Sequence, residues 1–223
     1  MDEPKLPFDR DVEYELGELR AFAAQLSSYR QAHQDFSQLV RRNKPPWKVW
    51  NEELIPLMYL ADGLSLSDDA RFKLMLEGHV LDLELIAGGN RTGIQVTIAD
   101  MVWAEARYPA GQLRALKTEH LAKGYAWGGA RLHRSGGETV SEPHARGLEE
   151  DVEACKAGLI AALEGKSTHA GQGSTLLVFA RDFTQHLYDV DKAAMIDEAV
   201  SAAPKTSFDQ LYVVDSSVFW GRP

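Results

Sequence analysis

The stretch Lys73–Ala99, KLMLEGHVLDLELIAGGNRTGIQVTIA, decides how the rest of the chain is read. Two runs with strand patterning flank Gly88-Gly89-Asn90, residues that tolerate positive φ and so read as the turn of a hairpin. In the first run Leu81, Leu83 and Leu85 alternate with Asp82 and Glu84; in the second Ile94, Val96 and Ile98 alternate with Gln95 and Thr97. Successive strand side chains point to opposite faces. A two- or four-residue turn then sets Asp82 opposite Thr97 and Glu84 opposite Gln95. Both aliphatic rows share one face, and Asp82, Glu84, Gln95 and Thr97 share the other; a slip of one residue breaks the match. The polar face has two readings. It is the wet side of a half-buried antiparallel sheet, or it is a site, because two carboxylates and an amide oxygen on adjacent strands are hard oxygen donors of the kind Mg²⁺ takes.

The 223 residues suffice for one large domain with a buried core. With 33 acidic residues against 24 Lys and Arg, the net charge is −9, which argues against a general nucleic-acid coat protein but leaves room for a local basic groove. Cys155 is the only cysteine, so an internal disulfide and a cysteine-rich metal site are both excluded, and a reducing cytoplasm is the expected home. Met1 to Pro7 carries no apolar run of a signal peptide. No stretch approaches the ~20 apolar residues of a membrane-spanning helix.

Taken in order, residues 1–8 read as a loose tail. Val12, Leu16, Leu19, Phe22, Leu26, Tyr29, Phe36 and Val40 recur at helical spacing and predict a long helix over about 10–41. Pro45-Pro46 ends it, Asn51 opens a short helix over 51–60, and Ala61-Asp62-Gly63 reads as a turn. After the hairpin, Pro109 opens a helix that Gly124 ends, and a short strand is expected at Tyr125–Trp127. The rest of residues 125–146 reads as an irregular, locally basic loop (Arg131, His133, Arg134, His144, Arg146), solvated or acting as a ligand-facing flap. Leu148, Val152, Cys155, Leu159 and Leu163 mark one face of a helix stopped by Gly165. Thr175–Ala180 reads as a buried strand, Asp191 caps a helix, and Phe208–Val214 reads as a second buried strand. Strand, helix and strand make a parallel, right-handed unit. Residues 216–223 read as an apolar tail, and the Trp-bearing ends leave a homodimer open.

The expected fold class is therefore α/β: a mixed central sheet with an antiparallel hairpin and a parallel strand–helix–strand close, helices on both faces, in a single domain over 9–215. The chain has no Walker A loop, no dinucleotide glycine fingerprint, no His-Glu-x-x-His and no Gly-x-Ser-x-Gly. Its seven histidines show no helical zinc spacing.

The order of elements is more informative. A long helix, a hairpin with Asp82 on one strand and Gln95-Val96-Thr97 on the next 13 positions on, a helix, and a parallel close resemble the core of the restriction-endonuclease-like, or PD-(D/E)xK, nuclease superfamily. The resemblance implies a Mg²⁺-dependent phosphodiester hydrolase, or a binding or regulatory protein on the same scaffold, meeting nucleic acid through a local groove. Asp82 would bridge the metal, and Glu84 or Gln95 would complete its shell. The family often adds a glutamate from the first helix, for which Glu15 and Glu18 are nearest. Thr97 stands where the family has lysine, and a neutral hydroxyl cannot stabilise the charge that develops on phosphate. Lys156 and Lys73 are the candidates to supply it. As it stands, the sequence predicts little or no nuclease activity.

Overall fold

The computed structural model describes residues 5–33, 47–101, 130–135, 138–143, 147–169, 173–181, 183, 187 and 190–222. Its frame is a seven-stranded mixed sheet. A three-residue strand β1 (Glu13–Glu15) lies at one edge, followed by β2 (Arg71–Leu74), β3 (Leu83–Ala87) and β4 (Asn90–Ala99), all antiparallel neighbours. Next come β7 (Ser174–Ala180) and β8 (Gln210–Val214), each parallel to the strand before it, and β9 (Phe219–Arg222), antiparallel to β8, closes the far edge. The pair β5 (Ala130–Ser135) and β6 (Glu138–Pro143) forms a separate antiparallel sheet. The fold class is thus α/β with a mixed sheet, as the hairpin and the parallel close predict.

Helices cover both faces. One side carries α1 (Leu16–Ala32) and α2, a continuous helical run from Trp47 to Gly63. The other carries α3 (Leu148–Glu164) and α4 (Lys192–Ala202). Strand alternation divides the core between them. Leu83, Ile94, Val96, Leu177 and Phe179 pack with α1 and α2, while Ala99, Leu176, Val178 and Val213 pack with α3 and α4. All seven residues of β7 are buried, as an unbroken apolar run between two parallel neighbours requires. Leu176, Val178 and Val213 are wholly inside, and Leu211, nearer the end of β8, is half-buried. Gly158 lets α3 press on the sheet: a Cβ there would lie 2.0 Å from the carbonyl oxygen of Asp100, at the end of β4.

Several boundaries differ from expectation, for identifiable reasons. The first helix starts at Leu16, because Glu13–Glu15 pair with β2 as a strand; Glu18 then accepts from the Glu15 backbone N–H at 2.8 Å. The part expected after residue 33 lies outside the described residues, as do the helix after Pro109 and the strand at Tyr125–Trp127. Part of the 125–146 loop is the β5–β6 hairpin. Residues 61–63 belong to α2 and are not a turn. Residues 216–223 are no tail, since β9 lies in them. At the other end Phe8 is buried against Phe22, Phe72 and Tyr14. Among the described residues, no helix is long and apolar enough to cross a membrane.

Candidate functional site

The hairpin turn is Gly88-Gly89, with φ of +56° and +81°. Both central residues of this turn need positive φ, and two glycines supply it more cheaply than Gly-Asn. The turn therefore closes on the pair Ala87–Asn90, and the register sets Glu84 opposite Gly93 and Leu83 opposite Ile94. This is two residues from the expected pairing of Glu84 with Gln95, so every side chain keeps its face. Glu84, Gln95 and Thr97 share the side of α3, as expected. Asp82 does not join them there.

Asp82 lies one residue before β3. Its N–H donates to the carbonyl of Ile94 at 3.0 Å and its carbonyl accepts from Met75 N–H at 2.9 Å. Its carboxylate Oδ2 accepts from the backbone N–H of Val96 at 2.7 Å. Strand N–H groups lie in the sheet plane, so the carboxylate sits at the edge of β4 and not above a face. The cause is strand length. β4 runs on to Ala99, but β3 begins opposite Ile94, and Asp82 satisfies the amide that the missing strand leaves.

The same gap forms a cleft of about 340 Å³. Its walls are Asp82, the β4 segment 96–98, and three side chains of α2: Lys48, Glu52 and Glu53. Pro56 explains how α2 presents them. Proline has no N–H for the carbonyl of Glu52, and residues 50–54 widen into a π-turn in which Ile55 N–H bonds to the carbonyl of Trp50. Such turns are rare and recur at functional sites. Trp50 is buried against Phe22, and its Nε1 has no hydrogen-bond partner among the described residues.

Electrostatically the cleft is mixed. Lys48 lies 3.7 Å from Glu52. Glu53 is held by Arg10, whose Nη2 donates to Oε1 at 2.9 Å and Nη1 to Oε2 at 3.3 Å; Nη1 also donates to the carbonyl of Met75 at 2.6 Å. Burial pushes the Glu53 carboxyl above its ordinary value; Arg10 opposes this, and the charges of Asp82 and Glu52 add to the rise. Comparison with protein families, with curated proteins and with solved structures gives no match.

The remaining sequence candidates stand elsewhere. Glu84 accepts from Arg91 at 2.7 Å, Arg91 also binds Glu13 at 2.8 Å, and Arg71 binds Glu13 at 2.9 Å. This is a ladder of cross-strand ion pairs running over β1 to β4, and there the wet-face reading holds. Gln95 is buried on the side of α3. Lys156 pairs with Glu198 at 2.6 Å and Glu153 at 3.2 Å in the α3–α4 layer, across the sheet from α2, and Lys73 pairs with Asp11. Of the predicted site residues Asp82, Glu84, Gln95 and Lys156, Asp82 alone lines the cleft, beside Thr97 of the same polar pattern. Sequence reasoning missed Lys48, Glu52 and Glu53. Their signal was three charges interleaved with Trp47, Trp50 and Leu54 just before a proline. Among the described residues, no three Asp, Glu, His or Cys side chains are placed to hold a metal ion.

Proposed function

We propose that the chain is a nuclease-like protein, related to Mg²⁺-dependent phosphodiester hydrolases, with a degenerate site of low activity. The observation that carries this is the cleft in which Asp82, Glu52 and Glu53 meet Lys48 where β4 outruns β3. The order of helix, three-strand meander, helix and parallel strand supports it. So does the position of Lys48, which offers the cleft the positive charge that Thr97 cannot. The Mg²⁺ that the resemblance implies does not fit the donors as they are arranged. One oxygen of Asp82 is committed to Val96 N–H, and Glu53 is committed to Arg10. Of the chain's own groups, Lys48 can hold a phosphate oxygen as a point charge, and the Asp82 carboxylate at the edge of the cleft can orient an attacking water.

The test is cleavage of plasmid, single-stranded DNA and RNA with Mg²⁺ or Mn²⁺ present. The expected result is slow cleavage that Asp82→Asn reduces by about 10²-fold, the usual effect of losing one preorganised catalytic group. No cleavage, or cleavage untouched by Asp82→Asn, overturns the enzymatic reading. The second reading, a non-enzymatic binding or regulatory protein on this scaffold, is favoured by the same two engagements: Asp82 and Glu53 both have structural partners.

A further inference from the structure

We propose that the chain has a second binding site, which takes a small amphipathic anion: a short acyl chain ending in a carboxylate. The site lies at the amino ends of β7 and β8, apart from the cleft at Asp82, and it does not depend on the function proposed above.

Three observations carry it. First, the core is left open there. Val213 of β8 is wholly buried under α3 and α4, but Leu211, two residues earlier on the same face, is only half-buried. The helical cover stops short of it. The helix α3 ends at Glu164 and α4 at Ala202, and Ala203 turns to extended backbone with φ of −76° and ψ of 157°. The opening is a cleft of about 360 Å³, within the range of about 300–1,000 Å³ usual for small-molecule sites. Second, its apolar wall is part of the core. Leu163 is buried, and Val200, Phe208 and Leu211 pack against the same cluster while lining the cleft. An apolar occupant removes that wall from water. Third, the rim is cationic in an acidic protein. The charged residues lining the cleft are Lys205, Arg222 and Asp209, two cations against one carboxylate, whereas the whole chain carries a net charge of −9. Lys205 is exposed and forms no ion pair among the described residues. Arg222 is the register partner of Leu211. Its guanidinium lies over Trp220, and its approach to Asp197, at 3.8 Å, is too long for a hydrogen bond.

The chemistry of the occupant follows from the wall and the rim together. An acyl chain lies along Leu163, Phe208 and Leu211. Its carboxylate is offered a point charge by Lys205 and a planar fork by Arg222. A cationic amphiphile of the same length meets two like charges, and a neutral one leaves both cations unused.

The experiment is calorimetric titration of the full chain with octanoate, octylammonium and 1-octanol in turn, with methyl NMR to locate the ligand. Octanoate is expected to bind at least about tenfold more tightly than the other two, the scale of one charge-assisted contact, and to shift the methyl signals of Leu163, Val200 and Leu211. Lys205→Met and Arg222→Met are each expected to weaken octanoate by about tenfold. Both positions are exposed, and thermal unfolding checks that each variant is folded. Should Arg222→Met fail to fold, Lys205→Met, in a surface loop, decides alone. Several results overturn the proposal: no octanoate binding at about 1 mM, equal binding of the cationic or neutral amphiphile, shifts confined to methyls outside the cleft, or unchanged affinity in Lys205→Met.

Discussion

Asp82 has a structural task that can be separated from any chemical one. Its carboxylate stands in for the carbonyl of an absent strand residue and accepts from Val96 N–H at 2.7 Å, and Val96 is only 8% exposed. Asp82→Ala removes the acceptor of that part-buried amide, at a cost of ~1–3 kcal/mol. Asp82→Asn keeps an oxygen acceptor of the same shape and loses only the charge assistance, so its cost is about 0.5–1 kcal/mol. In a domain of this size, each kcal/mol lowers Tm by roughly 2–4 °C. Thermal and urea unfolding of both variants gives the difference. Hydrogen exchange at the Val96 amide localises it, since protection is expected to fall in Asp82→Ala and to persist in Asp82→Asn. Equal stabilities for Asp82→Ala and the natural chain, with the Val96 amide still protected, would refute the edge-capping role and the cleft geometry built on it.

Three other outcomes follow from the core. Leu177→Asp puts an unpaired carboxylate at a wholly buried position of β7, and no cooperative unfolding transition is expected at neutral pH. Gly158→Ala drives a Cβ onto the backbone oxygen of Asp100; because neither partner is a flexible side-chain end, a loss of ~1–3 kcal/mol is expected in denaturant titration. Burial pushes the Cys155 thiol up to about 12. Iodoacetamide at pH 8 is expected to leave it unmodified in the folded chain and to modify it in urea. Because the folded value lies above the unfolded one, this thiol's contribution to stability is complete below about pH 8.5 and is lost as pH rises toward 12.

The fold was legible where periodicity and turn chemistry agree. Leu83, Leu85, Ile94 and Val96 alternate cleanly, and two glycines mark the turn, so the hairpin and its faces follow from a period of two. Thr175–Ala180 is apolar throughout, which requires cover on both sides. The register was less legible, because Gly88-Gly89 and Gly89-Asn90 both suit a two-residue turn and a shift of two residues preserves every face. The site was legible at one residue. Asp82 carries an alternation signal, and it does line the cleft, but its carboxylate turned to the sheet edge because β3 is shorter than β4, a tertiary fact. Lys48, Glu52 and Glu53 come from a helix whose π-turn depends on Pro56 and whose placement depends on packing between Trp50 and Phe22. Glu84 and Lys156 illustrate the converse. Each has the right chemistry, and each is engaged by an ion pair outside the cleft, Glu84 with Arg91 and Lys156 with Glu198.

The lysines give the most direct test of the proposed function, because the resemblance leaves Lys156 or Lys73 to supply the missing positive charge and the proposed cleft is lined by Lys48. Cleavage of single-stranded DNA with Mn²⁺ should be measured for the natural chain, Lys48→Met and Lys156→Met under identical conditions. Lys48→Met is expected to lose about 10²-fold in rate, while Lys156→Met, which only breaks pairs with Glu153 and Glu198, cleaves like the natural chain. Loss of cleavage in Lys156→Met with Lys48→Met unaffected would contradict the proposed function.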